Sequence, residues 1–506
     1  MNPVDSTISN LNNPWSNKQS VKVEEILDDR ISQLPDSLLV QILSVLPTKD
    51  AFITCVLSRR WRYLCTSVDN LYFSYGNQLH IRDFISSVDS ALAHSTSAKI
   101  KKFQLTLCCP HEYRSQYSQW LAFAVEKKVE DIKLYSIGDD DDIFALPQSI
   151  CTCSSLVTLK LIRCALDKQV ILAWKSLKSL ALDNMVLDDD NIVNLLSGCP
   201  ALETLGLYVC MGYRHLDISS SNLKKLTIFS WMLSDAEDHD QFLEIFAPYV
   251  QHLEISGNIY DLKCRLQNVS SLVNARLTFN VSCEKDIQNY NGYQVDNAVD
   301  SCRDYHQSFS IFVQDYLQKI SNVTNLTIGT WLTKVLCLLQ LEGVPFPEQK
   351  CKYLALELPL ENFNLYGVAG LLRASLHVET LNIDIATIKF EDTFCHFERH
   401  LAKGDDIDLQ SWTSSSMFPG LKNVKIVNSF LVCLEDYFKQ PYDKLFKLSE
   451  FLLKNATALE KFVIVSKTRE CRRCSMNCVS QYFFRLAKNL LGCPRSSTNS
   501  VIIVEE

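Results

Sequence analysis

The sequence predicts a mixed α/β chain: a small helical module, then a curved parallel sheet whose strands return through helices or irregular segments, then a C-terminal α/β segment. Three observations predict it. Between Asp29 and Thr66 apolar residues recur at helical spacing, punctuated by two Leu-Pro pairs. From Ile100 onward one short apolar pattern returns thirteen times. Several of the segments between copies carry helix start and stop signals of their own.

In the helical stretch, Leu34-Pro35 opens a helix with Leu38, Leu39, Ile42, Leu43 and Leu46 at helical spacing and Asp36 in its first turn. Pro35 suits a first helical position, where no amide donor is needed. Pro47 ends that helix, and Thr48 is the expected N-cap of a second, carrying Phe52, Ile53, Val56 and Leu57. A third helix follows from Ser58, with Arg59, Arg60, Trp61, Arg62 and Leu64. So short a bundle has more apolar side chains than it can bury. The surplus either caps the next domain or meets a partner, and spacing alone divides these readings about evenly.

The repeated pattern is Φ-x-x-Φ-x-Φ, with Φ apolar. Copies start at Ile100, Val129, Leu156, Leu177, Leu202, Leu223, Val250 and Leu272, and weaker or more widely spaced ones at Val323, Cys351, Val378, Leu421 and Leu459. From Leu156 to Leu272 successive starts differ by 21, 25, 21, 27 and 22 residues, within the period of leucine-rich repeats. The implied architecture is a leucine-rich-repeat solenoid in which each strand buries alternate residues and stacks on the next. The residues flanking the central Φ then face outward on the concave side. They include Thr158, Lys160, Ser179, Ala181, Thr204, Gly206, Lys225, Thr227, His252 and Glu254. The set is mixed in charge and small in size, and spells out neither a phosphopeptide pocket nor a small-molecule site.

Helical returns are expected over Asp83–Ala93, Gln116–Lys127 and Phe309–Ile320. Another runs through Ile192, Val193, Leu195 and Leu196, starting at Asp188–Asp190, with Gly198 as its C′ glycine and Pro200 blocking extension. Two intervals break the period: 278–322, with a polar loop around Glu284–Asp304, and 386–417, with Gly404-Asp405-Asp406 and Ser414–Ser416. Beyond the second, Phe418-Pro419-Gly420-Leu421-Lys422 opens a strand. An amphipathic helix follows through Leu445, Leu448, Phe451, Leu452 and Leu453. Residues 1–28, rich in Asn, Ser and charge, are expected to be disordered.

Net charge of −8 argues against a nucleic-acid-binding body. The 20 cysteines are too sparse for a disulfide scaffold; those at Cys108, Cys164, Cys210 and Cys337 are expected in apolar strands as reduced, small hydrophobes. No apolar signal core opens the chain, and no run approaches the roughly 18 apolar residues of a membrane span. A reduced, intracellular, soluble protein is expected. No phosphate-binding glycine loop, HExxH or GxSxG is present. Asp139–Asp142 lacks the spacing of a calcium loop. Cys471, Cys474 and Cys478 have partial zinc-knuckle spacing, with Cys493 the nearest fourth ligand; without a second paired half they read as a cysteine-rich loop. No metal, cofactor or catalytic residue is expected.

The order Leu34-Pro35-Asp36, Leu38-Leu39, Ile42-Leu43, Leu46-Pro47-Thr48-Lys49-Asp50 and Leu57-Ser58-Arg59-Arg60-Trp61-Arg62-Tyr63-Leu64 resembles an F-box in the form common in plants. Cys65 stands where many members carry a second Trp, a departure expected to thin one edge of the docking surface. GCPALETLGL resembles the leucine-rich repeats that follow F-boxes in many plant proteins. LSEFLLKNATALEKFVIV with LLGCPRSS resembles the C-terminal FBD domain. The resemblance implies an F-box over 29–75, a leucine-rich-repeat solenoid over 76–410 and an FBD-like domain over 411–500. It further implies a non-catalytic substrate receptor of a cullin-based ubiquitin ligase, in nucleus and/or cytoplasm. Leu34, Pro35, Leu38, Leu39, Ile42, Leu43, Leu46, Pro47, Leu57, Ser58, Trp61 and Leu64 would meet a Skp-type adaptor, and Thr158, Lys160, Ser179, Thr204, Lys225, Thr227, His252 and Glu254 a protein substrate. The alternative is a repeat scaffold whose F-box-like segment merely caps the array.

Overall fold

The computed structural model describes residues 31–505 except 32, 76–79, 109–110, 139–142, 168–169, 232–241, 261–262, 283–308, 359–361, 386–416, 430–432, 434–440, 466–473 and 475–476. The expectations for residues 1–28, Asp139–Asp142, Glu284–Asp304, Gly404–Asp406, Ser414–Ser416 and Cys471 lie outside the described residues.

Three short helices open the chain: α1 (Asp36–Leu43), α2 (Thr48–Ile53), running into a 3₁₀ turn over Thr54–Val56, and α3 (Arg59–Thr66). A sheet of fifteen parallel strands follows, in which neighbours in space are also consecutive in sequence. Its strands are β1 (Asn70–Phe73), β2 (Lys102–Cys108), β3 (Asp131–Ile137), β4 (Thr158–Ile162) and β5 (Ser179–Asp183). Next come β6 (Thr204–Tyr208), β7 (Lys225–Trp231), β8 (His252–Tyr260), β9 (Asn274–Ser282) and β10 (Asn325–Gly329). Last are β11 (Tyr353–Leu358), β12 (Thr380–Ile385), β13 (Asn423–Val427), β14 (Lys461–Val465) and β15 (Val501–Glu505). An unbroken order of parallel neighbours is the topology of a solenoid.

Each of the thirteen apolar copies becomes a strand that starts two residues after its first Φ. The central Φ residues align across the sheet: Leu159 pairs with Leu180, Leu180 with Leu205, Leu205 with Leu226, and Leu226 with Leu253. A one-residue slip would turn this whole row outward, so burial fixes the register. β1 carries a further copy, starting at Val68, whereas β15 has Asn499 at the first Φ position; the two flank the row at its ends.

The returns are helical toward both ends: α4 (Ile81–His94), α5 (Arg114–Glu126), α6 (Gln148–Cys151), α7 (Asp189–Gly198), α8 (Ser310–Lys319), α9 (Thr330–Leu341), α10 (Asn362–Arg373), α11 (Pro441–Asn455) and α12 (Cys478–Leu491). In the middle they form a second parallel sheet from His215–Asp217, Phe242–Phe246 and Lys263–Asn268. Both layers close on one apolar core. Its two fully buried tryptophans are satisfied: Trp174 donates to the Ile150 carbonyl at 2.7 Å and Trp231 to that of Tyr213 at 3.1 Å. Among the described residues no helix is long and apolar enough to cross a membrane.

Several local expectations are corrected. Asp188 caps α7 as expected, accepting from the Asn191 amide at 2.8 Å. Gly198 lies inside that helix, however, and Cys199 follows as its C-cap. The second helix is entered from Pro47, and Thr48 is buried with its hydroxyl accepting from the Tyr72 amide at 2.7 Å. Cys337 sits on helix α9, and Cys210 just beyond β6. Helix α9 is buried on every side from Trp331 to Leu339, so its sequence has no polar face to reveal a period. Cys55 and Cys65 are disulfide-bonded, which departs from the expectation of wholly reduced cysteines.

Candidate functional site

The helical module sorts its apolar residues into two sets. Leu39 and Leu43, one turn apart on α1, are buried with Ala51, Leu64, Cys65 and Val68 as its core. Leu39, Leu43 and Leu64 are therefore packing residues, which corrects their assignment to a partner surface. Leu34, Leu46 and Trp61 are half-buried against the same core. Leu38, Ile42 and Leu57 are 44%, 49% and 63% exposed, and Pro35, Pro47 and Ser58 are also exposed. Leu38, Ile42 and Val45 recur at i, i+4 and i+7, so they share one side of α1. Val45, Val56 and Tyr63 are further exposed apolar residues of this module. Val45 escaped the sequence reading because it lies just past the end of α1; Val56 and Tyr63 were read as parts of their helices but not as surface residues.

Polar contacts hold the module's shape. The Ser58 hydroxyl caps α3, accepting from the Trp61 amide at 3.3 Å. Arg60 donates to Asp36 at 2.8 Å and to the Leu34 carbonyl at 2.5 Å, tying α3 to the start of α1. Arg60 is thus a tie within the module, whereas Arg59 and Arg62 are exposed. Cys65, buried and bonded to Cys55, belongs to the core and not to an edge of the outer surface.

The opposite side of the module is fastened to the array. Asn70 donates to the Ser44 carbonyl at 3.1 Å, and the Thr96 amide to the Thr66 carbonyl at 2.8 Å. Phe52 packs against the solenoid core. The helices thus cover the outer edge of β1, a sheet edge that would otherwise stand open. Leu38, Ile42, Val56 and Leu57 are left exposed by this capping. Exposed leucine and isoleucine at this density make this side of the module the candidate docking surface.

A second feature lies along the strands. Thr158, Ser179, Thr204, Lys225 and His252 stand opposite one another in one row, and Lys160, Ala181, Gly206, Thr227 and Glu254 in another. The structure therefore brings all eight candidate contact residues onto one face. Thr227 is only 6% exposed, and Gly206 is buried beneath the Tyr208 ring, so neither presents a usable side chain. Lys160 stands 5.7 Å from the Tyr208 ring centroid and 3.8 Å from Asp183.

The rows deepen into a concavity of about 620 Å³ lined by Lys225, His252, Glu254, Asn274, Arg276, Asn325, Thr327 and Tyr353. Arg276 bridges Glu357 at 2.6 Å and Glu254 at 3.4 Å. Burial raises the Glu357 pKa above the usual carboxylate range against the pull of Arg276. His252, Asn274 and Asn325 form a hydrogen-bonded ladder across three strands. Asn274, Arg276, Asn325, Thr327 and Tyr353 were missed, although the same flanking positions in the copies at Leu272, Val323 and Cys351 identify them. Both charges and several amides line this hollow.

Residues 31–73 match the F-box domain model, and residues 117–272 match the model described as FBD-associated F-box protein At5g56370, LRR repeats. F-box/LRR-repeat protein At3g03360 of Arabidopsis thaliana is 32% identical over 70% of this chain and 70% of its own length. F-box/LRR-repeat protein At5g02910 of the same plant is 31% identical over 86% of this chain and 88% of its own. F-box/FBD/LRR-repeat protein At5g56420 is 31% identical over 49% and 60%. By the first two matches, each above 30% identity over more than two thirds of both chains, the chain belongs to the F-box/LRR-repeat family of plant proteins.

Proposed function

We propose that this chain is the substrate-recognition subunit of an SCF-type ubiquitin ligase. The outer side of its F-box docks on a Skp-type adaptor, and through it on a cullin. The concave rows around Arg276 take a protein substrate, in the nucleus, the cytoplasm or both. Strands β13 and β14, within the FBD-like segment over 411–500, and β15 just beyond it extend the same sheet to its far end. The chain needs no catalytic residue or cofactor for this, because holding substrate beside a ubiquitin-loaded enzyme raises effective concentration.

The observation that carries this reading is the division of labour in the module. Its capping contacts use Ser44, Thr48, Phe52 and Thr66, while Leu38, Ile42, Val56 and Leu57 stay exposed. A segment that merely capped the array would have no use for that second set. Co-expression with a Skp-type adaptor followed by size-exclusion chromatography tests it. The unaltered chain is expected to co-elute stoichiometrically, and Leu38→Glu with Ile42→Glu to abolish co-elution while circular dichroism stays unchanged. Elution of the unaltered, folded chain alone would sink the ligase reading and leave the scaffold.

A further inference from the structure

Cys433, Cys474 and Cys478 come from three places in the sequence and meet at one end of the sheet. Cys433 lies beyond β13, Cys474 between β14 and α12, and Cys478 is the first residue of α12. Their sulfurs lie within 4.8 Å of one another, with Cys433 and Cys478 at 4.0 Å. Sulfurs on a tetrahedral zinc, with Zn–S of about 2.3 Å, stand roughly 3.8 Å apart. These three are therefore close to a metal-bound spacing already. None of them is in a disulfide.

The other cysteines make the contrast. Cys151, Cys164, Cys199, Cys210 and Cys264 are buried in the core, where burial pushes each thiol up to about 12. They act as small hydrophobes. Among the described residues, Cys433, Cys474 and Cys478 are the one group of three potential metal ligands whose donor atoms converge. Cys433 and Cys478 are buried while Cys474 is half-exposed, so the group has a floor and an open side.

We propose that these three cysteines form a structural zinc site, binding the ion as thiolates with the fourth position on the open side of Cys474. Each thiol loses its proton to solvent as the metal binds, with no change of oxidation state. The ion would clip the segments after β13 and β14 to the first turn of α12. The sequence spacing pairs Cys471 with Cys474 as a knuckle, with Cys478 as a third ligand and Cys493 as the nearest fourth; Cys471 lies outside the described residues. The structure supplies Cys433 beside Cys474 and Cys478, and Cys493 instead contacts the Asn489 carbonyl.

The test uses the full chain, purified in reductant. Elemental analysis is expected to find one zinc per chain. After chelation, titration with cobalt(II) is expected to give thiolate charge-transfer absorption and tetrahedral d–d bands that saturate at one equivalent. Cys433→Ser and Cys474→Ser should each remove the bands, whereas Cys493→Ser should leave them intact; the half-exposed Cys474 serves if Cys433→Ser does not fold. Folded chain without zinc or cobalt bands would overturn the proposal, as would bands that survive both substitutions. So would peptide mapping that finds Cys433 and Cys478 joined as a disulfide.

Discussion

Gly198 stands in the last turn of α7 directly over Leu172. A Cβ there would come within 2.5 Å of the Leu172 carbonyl oxygen and 2.7 Å of its Cβ, so what the position requires is absence of volume. Gly198→Ala is expected to destabilise the array by about 1–3 kcal/mol, as overpacking against backbone does, read as a fall in the urea midpoint at unchanged slope. A substitution that left the midpoint alone would mean the return loop yields freely. At this scale the sequence is legible by residue type more than by role. It marks Gly198 as special but suggests a helix-ending turn, because the partner that matters lies on a segment only the fold brings near. Leu38 and Leu39 differ by one position, yet one is exposed and the other fully buried. Helical period told that both were apolar choices, and only the placement of α3 and β1 says which one remains for a partner.

The strand-to-return corner is the element that repeats most faithfully. Arg163, Asn184, Val209, Ser230 and Gly257 occupy the sixth position counted from the start of β4, β5, β6, β7 and β8, and all have positive φ, from 51° to 79°. The amides of Arg163, Asn184 and Val209 each donate to a carbonyl in the next repeat, at 2.9, 2.8 and 2.7 Å. At Arg163, Asn184 and Val209, just past β4, β5 and β6, the left-handed residue thus turns the chain out of the sheet while keeping its amide bonded, whereas Ser230 and Gly257 lie inside β7 and β8. Glycine and asparagine tolerate that conformation, whereas β-branched valine is strained in it. Val209→Asn is expected to raise stability by about 1 kcal/mol, measured by chemical denaturation. A loss of stability would mean that the half-buried valine side chain outweighs the backbone strain. The thirteen strands from Ile100 onward were legible, since every copy carries the same buried spacing, whereas β1, β15 and the three strands of the second sheet were not read. Helices α9 and α10 were not legible, because a helix pressed between neighbours loses the polar face that periodicity needs; α12 was passed over although Cys478, Tyr482, Phe483, Leu486 and Leu490 are buried while Gln481, Arg485 and Lys488 are exposed. Gly367 on α10 shows how tight that packing is: a Cβ there would run into the Thr333 carbonyl of α9.

Across the whole molecule, capping and docking are two sides of one module, where spacing alone presented them as rivals. β1 has a paired edge toward β2 and an outer edge that α1–α3 cover, through Thr48 on the Tyr72 amide, Ser44 with Asn70, Thr66 with Thr96, and Phe52 in the core. Deleting residues 1–66 removes all of these at once. Three hydrogen bonds at about 1 kcal/mol each, with part of a phenylalanine's burial, amount to a loss on the order of 4 kcal/mol. The truncated chain is expected to melt at lower temperature than the full one and to self-associate through the bared edge of β1. Leu38→Glu with Ile42→Glu, which touches only exposed positions, should leave the melting temperature within a degree or two of the full chain's, since surface changes of this kind shift stability by about 0.5 kcal/mol or less. Differential scanning calorimetry on the two variants separates the roles. Equal melting of truncated and full chains would make the module a tethered unit independent of the array. The expected result has a practical edge: loss of adaptor binding on truncation would report a damaged solenoid as readily as a missing dock, so the paired glutamate substitutions are the ones that isolate docking.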